Sequence, residues 1–244
     1  MSYFKQSWQV GAAALLAALT TFGQTARKPS KTKPAKPAAV IPAMDKPAAV
    51  SPVDPMLSEW ESAVLQELNF IRAEPQKAIG QLESYKKLLR GKELRLPGAP
   101  AILTNEGVAA FDDAIAYLKE TEPLPPLKIS PNVLLAARDH LNDLLATGQT
   151  GHLGSDGSYP PNRVQKRGVF TSIVGENISY LISDARFAAF SMLIDDGNPN
   201  RGHRNNLFSA NFNYLGIASG DSKKWGRVCV VTFTDKTGPA LKLQ

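Results

Sequence analysis

The stretch SPNVLLAARDHLNDLLATGQTGHLGSDGS, residues 130–158, contains the change of pattern that decides the fold class. Ser130 can cap a helix, Pro131 suits the first helical position, and Gly148 can end the helix. Between them apolar residues recur every three or four positions, which predicts an amphipathic helix. After Gly148 the helical pattern stops, and Gly, Ser and Asp dominate. The sequence therefore predicts a helix followed by a turn that carries His152.

Helical patterns precede this stretch. Ser58 and Glu61 have the capping-box spacing at the start of a first helix. Two further helices are predicted within residues 76–120: one ends at Gly91, and the other is capped by Thr104 or Asn105. Three prolines between residues 121 and 130 prevent that last helix from continuing.

Strand patterns follow the stretch at residues 130–158. Turns are predicted throughout residues 149–168, and β-branched and aromatic content predicts a strand interrupted at Gly175. A mostly buried helix is then predicted over residues 184–196. Two strands over residues 214–219 and 227–235 are predicted to form a hairpin. Helices and a few strands mixed in this way predict an α+β or layered αβα domain.

The first 26 residues have the features of a secretory signal peptide. Lys5 precedes an uncharged run over residues 10–22, which is too short to span about 30 Å of hydrocarbon as a helix. A cleaved signal is therefore favoured, and an uncleaved anchor is the alternative. Residues 27–56, rich in Pro, Ala and Lys, predict an extended linker, either a spacer or an arm that rests on an anionic envelope surface. We expect a secreted, periplasmic or cell-envelope protein with no membrane span after cleavage.

The net charge of +6 does not indicate a nucleic-acid partner. The linker holds most of the basic excess, whereas residues 57–244 are nearly balanced. Nucleic-acid-binding domains carry such an excess on the folded body. The single cysteine, Cys229, excludes an internal disulfide, and its strand pattern predicts a buried apolar residue and not a nucleophile. The sequence contains no P-loop, dinucleotide fingerprint, HExxH or paired-cysteine metal motif.

Four motifs occur in an order and spacing that resemble one family. They are PPLKISPNVLLAARDHLNDL, GHLGSDGS, GENISY and LIDDGNPNRGHRNNLF. Together they resemble the bacterial branch of the CAP superfamily, the cysteine-rich secretory, antigen 5 and pathogenesis-related 1 proteins with an SCP domain. The resemblance implies a three-layer α-β-α sandwich around a small antiparallel sheet. It implies a CAP domain over residues 57–244, with a helical insertion at about residues 80–122.

The resemblance also implies an open cleft lined by two histidines and two acids. On this chain they are His152, Glu176, Asp195 and His203. In relatives the histidines can hold a divalent ion, often zinc, so His152 and His203 are candidate metal ligands. Many relatives have Glu where this chain has Asp195, one methylene shorter, which puts its reach to a metal or histidine in question. A carboxylate on the second ring nitrogen would fix each histidine's tautomer.

The other polar residues near these motifs have structural interpretations. His140 lies on the apolar face of its helix and is expected in the core. Arg163, Arg201 and Arg204 could bind an anionic ligand near the cleft. For Arg201 and Arg204, ion pairs with the carboxylates of the DDG stretch, which would pin the loop, are favoured. Glu176 lies in an apolar strand, where a buried charge needs a partner.

Two functions from different classes are compatible with this set. The first is a binding module without turnover, whose ligand is a lipid or a cell-envelope component. The second is a metal-assisted hydrolase of peptide or cell-wall material, in which zinc on His152 and His203 activates water and Glu176 acts as general base, with Asp195 as the other candidate catalytic acid. The binding module is favoured because the sequence has no serine elbow and no three-ligand zinc signature. A purely structural envelope role is the third alternative.

Overall fold

A computed structural model describes residues 56–239 of the protein. The predicted signal peptide and the linker up to residue 55 lie outside the described residues. The helices are α1 Glu59–Ala73, α2 Pro75–Lys86, α3 Val108–Glu120, α4 Pro131–Thr147, α5 Pro160–Lys166, α6 Ala185–Ile194 and α7 Gly202–Leu207. The strands are β1 Leu89–Arg90, β2 Glu93–Leu94, β3 Ile102–Leu103, β4 Lys128–Ile129, β5 Val174–Tyr180, β6 Tyr214–Ser222 and β7 Gly226–Thr234.

The predicted ends of α1 and α4 are confirmed. The Ser58 hydroxyl accepts the amide of Glu61 at 3.2 Å, and the Glu61 carboxylate accepts the amide of Ser58 at 2.9 Å. Ser130 caps α4, Pro131 follows it, and Gly148 ends the helix with a φ of 67°. Helix α1 begins, and helix α4 both begins and ends, where short-range sequence signals place them.

Three predictions about helix bounds, caps and turns are wrong. The second helix ends at Lys86 and not at Gly91, because the next residues form a hairpin in which Leu89 pairs with Leu94. The third helix has Gly107 at its N-cap and no side-chain cap. Residues 149–168 are not turns throughout, since α5 begins at Pro160, where a proline suits the first turn of a helix.

A four-stranded sheet of order β4-β6-β7-β5 forms the centre of the fold. The three long strands are antiparallel, and the two-residue β4 joins the β6 edge in parallel. Together with the helices this confirms the α+β class. Strand β5 runs through Gly175 without the predicted interruption. A side chain at residue 175 would meet Asn206 at 2.8 Å and Phe212 at 2.9 Å, so the glycine admits these two residues instead.

Helix α4 covers one face of this sheet. A shared core contains residues of α4, β5, β6 and β7, namely Ala137, Leu141, Leu144, Ile178, Ala218, Val228 and Val230. At Gly216 the helix lies so close that a Cβ atom would be 2.3 Å from the amide nitrogen of Leu134. Helices α1 and α6 pack on each other, and they contact β6 and β5 respectively. The Cys229 side chain is buried in β7, as predicted.

The segment around residues 80–122 contains more than helix. It includes the end of α2, the small three-stranded sheet β1-β2-β3 and helix α3. Helix α3 packs on α2 and also contacts α6. Among residues 56–239, no helix is long and apolar enough to cross a lipid bilayer.

Candidate functional site

Edge strand β5 contacts both parts of the candidate site, through Glu176 to His152 and through Asn177 to His203. Successive side chains of a strand point to opposite faces of the sheet. Glu176 pairs across the sheet with Thr232, which pairs with Gly216, the residue against α4. The Glu176 side chain therefore lies on the α4 face, and that of Asn177 lies on the opposite face, beside α7.

On the α4 face, Glu176 holds His152. The Nδ1 atom of His152 is 2.9 Å from the Glu176 carboxylate, and the His152 side chain keeps 32% of its surface exposed. The guanidinium of Arg163 donates to both Glu176 oxygens at 3.0 Å and to the backbone carbonyl of His152 at 3.1 Å. One buried carboxylate and one buried guanidinium thus fix both the ring and the backbone of this turn.

Neighbouring groups keep the Glu176 carboxyl ionised although it is buried. Its side chain is only 2% exposed, and burial by itself would raise the carboxyl pKa. The hydrogen bond from His152 and the positive charge of Arg163 outweigh burial and hold the pKa below its ordinary value. Glu176 is therefore an ionised carboxylate whose acceptor positions face protein donors.

His140 of α4 lies next to the same carboxylate, in the core of the protein. It is fully buried, as predicted for a core histidine, and its Nε2 atom is 2.8 Å from the carbonyl of Gly151 and 3.7 Å from Glu176. Because a carbonyl only accepts hydrogen bonds, Nε2 carries the proton. Burial lowers the pKa of His140, so the ring is neutral.

The second half of the site is the pair formed by Asp195 and His203. Asp195 ends α6 in the left-handed conformation, with a φ of 51°. Its carboxylate accepts the His203 amide at 2.8 Å and lies 3.1 Å from His203 Nδ1. Asp195 is 4% exposed and His203 is 26% exposed. Although burial raises the pKa of Asp195, the hydrogen bonds from His203 outweigh it and hold that pKa below its usual value. The shorter aspartate therefore reaches its histidine.

Amide side chains connect the two halves. Asn177 donates to the backbone carbonyl of His203 at 3.0 Å. Asn206 of α7 donates to the side-chain oxygen of Asn177 at 2.8 Å and lies 3.4 Å from the carbonyl of Glu176. Adjacent residues of β5 thus position one histidine through a side chain and the other through a backbone contact.

Sequence reasoning missed the residues that hold the loop of His203. Arg201, in the left-handed conformation with a φ of 48°, donates to both oxygens of Glu106 at 2.6 and 2.7 Å. Asp113 accepts from Arg201 at 3.0 Å and from Arg204 at 2.9 Å. The arginines do pin the loop, but their carboxylate partners lie in the segment at residues 80–122 and not in the DDG stretch.

A reciprocal set of contacts runs from the loop to that segment. Asp196 accepts the amides of Asn105 and Glu106 at 2.6 and 2.8 Å, and Glu106 accepts the amide of Gly197 at 2.7 Å. These contacts also explain why Asn105 is not a helix cap. The only sequence signal that could have identified the partners was the acidic character of residues 106, 112 and 113.

The chemistry of the site follows from its tautomers. Each imidazole uses Nδ1 to contact a carboxylate, which only accepts, so in a neutral ring Nε2 has the lone pair. An imidazole oriented in this way can coordinate a divalent metal or accept a ligand proton at Nε2. Within residues 56–239 no group of three or more His, Cys, Asp and Glu side chains is placed to hold a metal ion. The catalytic roles of Glu176 and Asp195 stay predictions.

Comparison with known sequences supplies the family. Residues 112–233, half of the chain, match the family model described as the cysteine-rich secretory protein family, CAP. The chain belongs to this family. The match contains all four candidate site residues of the CAP domain, and it begins inside the segment at residues 80–122. No curated protein matches the sequence.

Solved structures with partial similarity include bacterial proteins with this domain. An extracellular protein containing an SCP domain from Bacillus anthracis has 23% identity and a TM-score of 0.40, over 54% of this chain and 39% of that one. An outer surface protein from Borrelia burgdorferi has 18% identity and a TM-score of 0.38, over 45% and 77%. A cysteine-rich secretory protein from Staphylococcus aureus has 17% identity and a TM-score of 0.37, over 58% and 40%. The chain therefore covers about two fifths of the first and third of these proteins.

Proposed function

We propose that this protein is an exported CAP-domain binding module whose ligand or divalent metal ion is held by His152 and His203. The observation that carries the proposal is that each histidine is partly exposed while its Nδ1 atom contacts a buried, ionised carboxylate. Burying two carboxylates is costly, and ordinary surface turn residues do not require it. The arrangement is explained if the orientation of both rings matters.

A divalent ion such as zinc fits the donor chemistry of this pair. Imidazole nitrogens are good zinc ligands, and carboxylates on the second ring nitrogen raise the basicity of metal-bound histidines. His152 and His203 would hold the ion, with Glu176 and Asp195 orienting them. Bound zinc would supply a Lewis acid to a ligand carbonyl, phosphate or carboxylate. Two protein ligands leave the remaining coordination positions to water or ligand.

The hydrolase alternative depends on Glu176 as general base, and the contacts of this residue argue against that role. A general base must reach the proton that it takes, directly or through one water. Glu176 has 2% of its side-chain surface exposed, and it accepts hydrogen bonds from His152 and Arg163. Glu176 instead orients His152, which favours binding over turnover.

Export is part of the proposal, and it rests on the sequence. The first 26 residues have the charge and hydropathy of a secretory signal, and the single cysteine requires no disulfide in an oxidising compartment. A location outside the cytoplasm points to a cell-envelope component, such as a lipid or a wall fragment, as the ligand.

Zinc titration of the chelator-treated full chain by calorimetry tests the proposal. We expect one site per chain, lost in both His152→Ala and His203→Ala. The matched control is Asp221→Asn, which removes an exposed carboxylate from the distant β6–β7 hairpin and should not change the affinity. The metal proposal is overturned if zinc does not bind, or if binding persists in both histidine variants.

A further inference from the structure

The loop that leads to His203 has a backbone conformation that its own residues do not favour. Asp195 and Arg201 lie in the left-handed region, with φ values of 51° and 48°. Residues other than glycine are uncommon there, and they persist where the surrounding structure imposes that conformation. Between them Gly197 lies so close to Asn105 that a Cβ atom would be 2.4 Å from the amide nitrogen of that side chain. The shape of this loop therefore depends on contacts from outside it.

The guanidinium of Arg201 connects the loop to the segment at residues 80–122. It donates to both Glu106 oxygens, at 2.6 and 2.7 Å, and to Asp113 at 3.0 Å. The same group donates to the backbone carbonyl of Asp195 at 2.8 Å. Because a guanidinium is planar and rigid, carboxylates that fix its plane also fix the donor that binds the Asp195 carbonyl.

Asp195 links this guanidinium to the imidazole of His203. Its carbonyl accepts from Arg201, while its carboxylate accepts the His203 amide at 2.8 Å and lies 3.1 Å from Nδ1 of the ring. An aspartate side chain is short, so a shift of the Asp195 backbone would move the carboxylate relative to the ring. The contacts thus run from Glu106 through two intermediate residues to the imidazole.

The orientation of His152 has a different origin. Its Nδ1 atom contacts Glu176, and Arg163 donates both to that carboxylate and to the His152 carbonyl. These two residues belong to β5 and α5, and not to the segment at residues 80–122. A change in that segment should therefore affect His203 and leave His152 as it is.

We propose that Glu106 is a positioning residue for His203. It acts through the Arg201 guanidinium and the Asp195 backbone, so the segment at residues 80–122 completes one half of the candidate site. This inference rests on the proposed function only in that His203 is taken to contact the ligand or metal ion. The orientation of the ring itself can be measured without either.

Imidazole nitrogen NMR on the ¹⁵N-labelled, chelator-treated full chain tests the proposal. The chain has three histidines, so each ring can be followed separately. At about pH 8.5, where an ordinary histidine is neutral, the contact with Asp195 should hold the wild-type His203 ring in the tautomer protonated at Nδ1. In Glu106→Gln we expect His203 to show a mixture of the two tautomers. His152 and His140 should keep their wild-type resonances, which would show that the fold is intact.

Zinc titration of the same proteins provides a second measurement. We expect Glu106→Gln to weaken zinc binding about three- to tenfold, less than the roughly 10- to 100-fold typical of a residue in direct contact with a metal-binding histidine. The matched control is Asp112→Asn, which removes an exposed carboxylate of the same segment that pairs with Lys86. It should change neither the three rings nor the zinc affinity.

The proposal is overturned if the His203 tautomer is the same in Glu106→Gln as in wild type, or if Asp112→Asn changes it equally. A change at His152 together with His203 also contradicts it, because the segment would then act on the whole fold. So does an unchanged zinc affinity in Glu106→Gln when His203→Ala abolishes binding. If wild type binds no zinc, the metal proposal fails, but the spectra of the metal-free protein still decide this one.

Discussion

Replacing Glu106 by glutamine should loosen the loop that carries His203. The wild-type carboxylate accepts hydrogen bonds from both terminal nitrogens of Arg201 and from the amide of Gly197, at donor–acceptor distances of 2.6, 2.7 and 2.7 Å. Glu106→Gln keeps the shape of the side chain but removes its charge and one of its acceptor oxygens. It therefore tests whether the charged contact between the segment at residues 80–122 and this loop stabilises the fold.

The magnitude follows from the pKa of Glu106. The hydrogen bonds from Arg201, against a smaller opposing effect of burial, lower this pKa from 4.5 to about 2. At about 1.4 kcal/mol for each pKa unit the full difference would be about 3 kcal/mol. Because 32% of the Glu106 side chain is exposed, solvent screening reduces the expected loss to about 1–2 kcal/mol at pH 7. The corresponding fall in melting temperature is about 2–8 °C.

The direction of the pKa shift also predicts how the stability difference should change with pH. A carboxyl group whose pKa is lower in the folded state stabilises the protein above its unfolded pKa, and this contribution is lost as the pH falls toward the folded pKa. The difference in the free energy of unfolding between wild type and Glu106→Gln should be constant above about pH 5 and shrink toward pH 2. The other carboxyl groups are common to both proteins, so their contributions cancel in the difference.

Urea denaturation of the two full-length proteins at several pH values measures this difference. Asp221→Asn is the control, since Asp221 forms an exposed ion pair with Arg227 and should cost less than about 1 kcal/mol. The reasoning is refuted if Glu106→Gln is as stable as the control at pH 7, or if its deficit is the same at pH 3 as at pH 7.

Further predictions concern the core and the buried polar groups. Gly216→Ala should destabilise the protein by about 3 kcal/mol, because its Cβ atom would clash with the backbone of α4. Gly80→Ala, in a helix with open space around it, should stabilise by about 0.5–1 kcal/mol. Burial raises the pKa of Cys229, so its thiol should not react with a thiol reagent until the protein unfolds. Glu176→Gln should cost about 3 kcal/mol, because it leaves Arg163 buried without its counter-charge.

Each of these outcomes can be contradicted directly. Denaturation curves that rank Gly216→Ala at or above Gly80→Ala would show that α4 moves away from the sheet at little cost. Reaction of Cys229 in the native protein would show that β7 opens without global unfolding. A Glu176→Gln variant as stable as wild type would mean that Arg163 finds another acceptor or reaches solvent.

The sequence alone determined the parts of this protein that depend on neighbouring residues. The caps of α1 and α4, the β6–β7 hairpin and the burial of His140 and Cys229 follow from side chains within a few positions of one another. Such signals act over one helical turn or one strand pair, so they can be recognised without knowledge of the fold. The four motifs likewise identified the family, which the match over residues 112–233 confirms.

Only the tertiary structure decided which charges meet. Arg163 donates to Glu176. Arg201 donates to Glu106 and Asp113, and Arg204 donates to Asp113. Both acids precede these two arginines by about 90 positions in the chain. Several arginines and acids offer equivalent charges, so composition cannot select among the pairings. The choice is made when β5, α6 and α7 pack against the segment at residues 80–122, because the cost of burying a charge is offset only by the partner that packing brings within hydrogen-bonding distance.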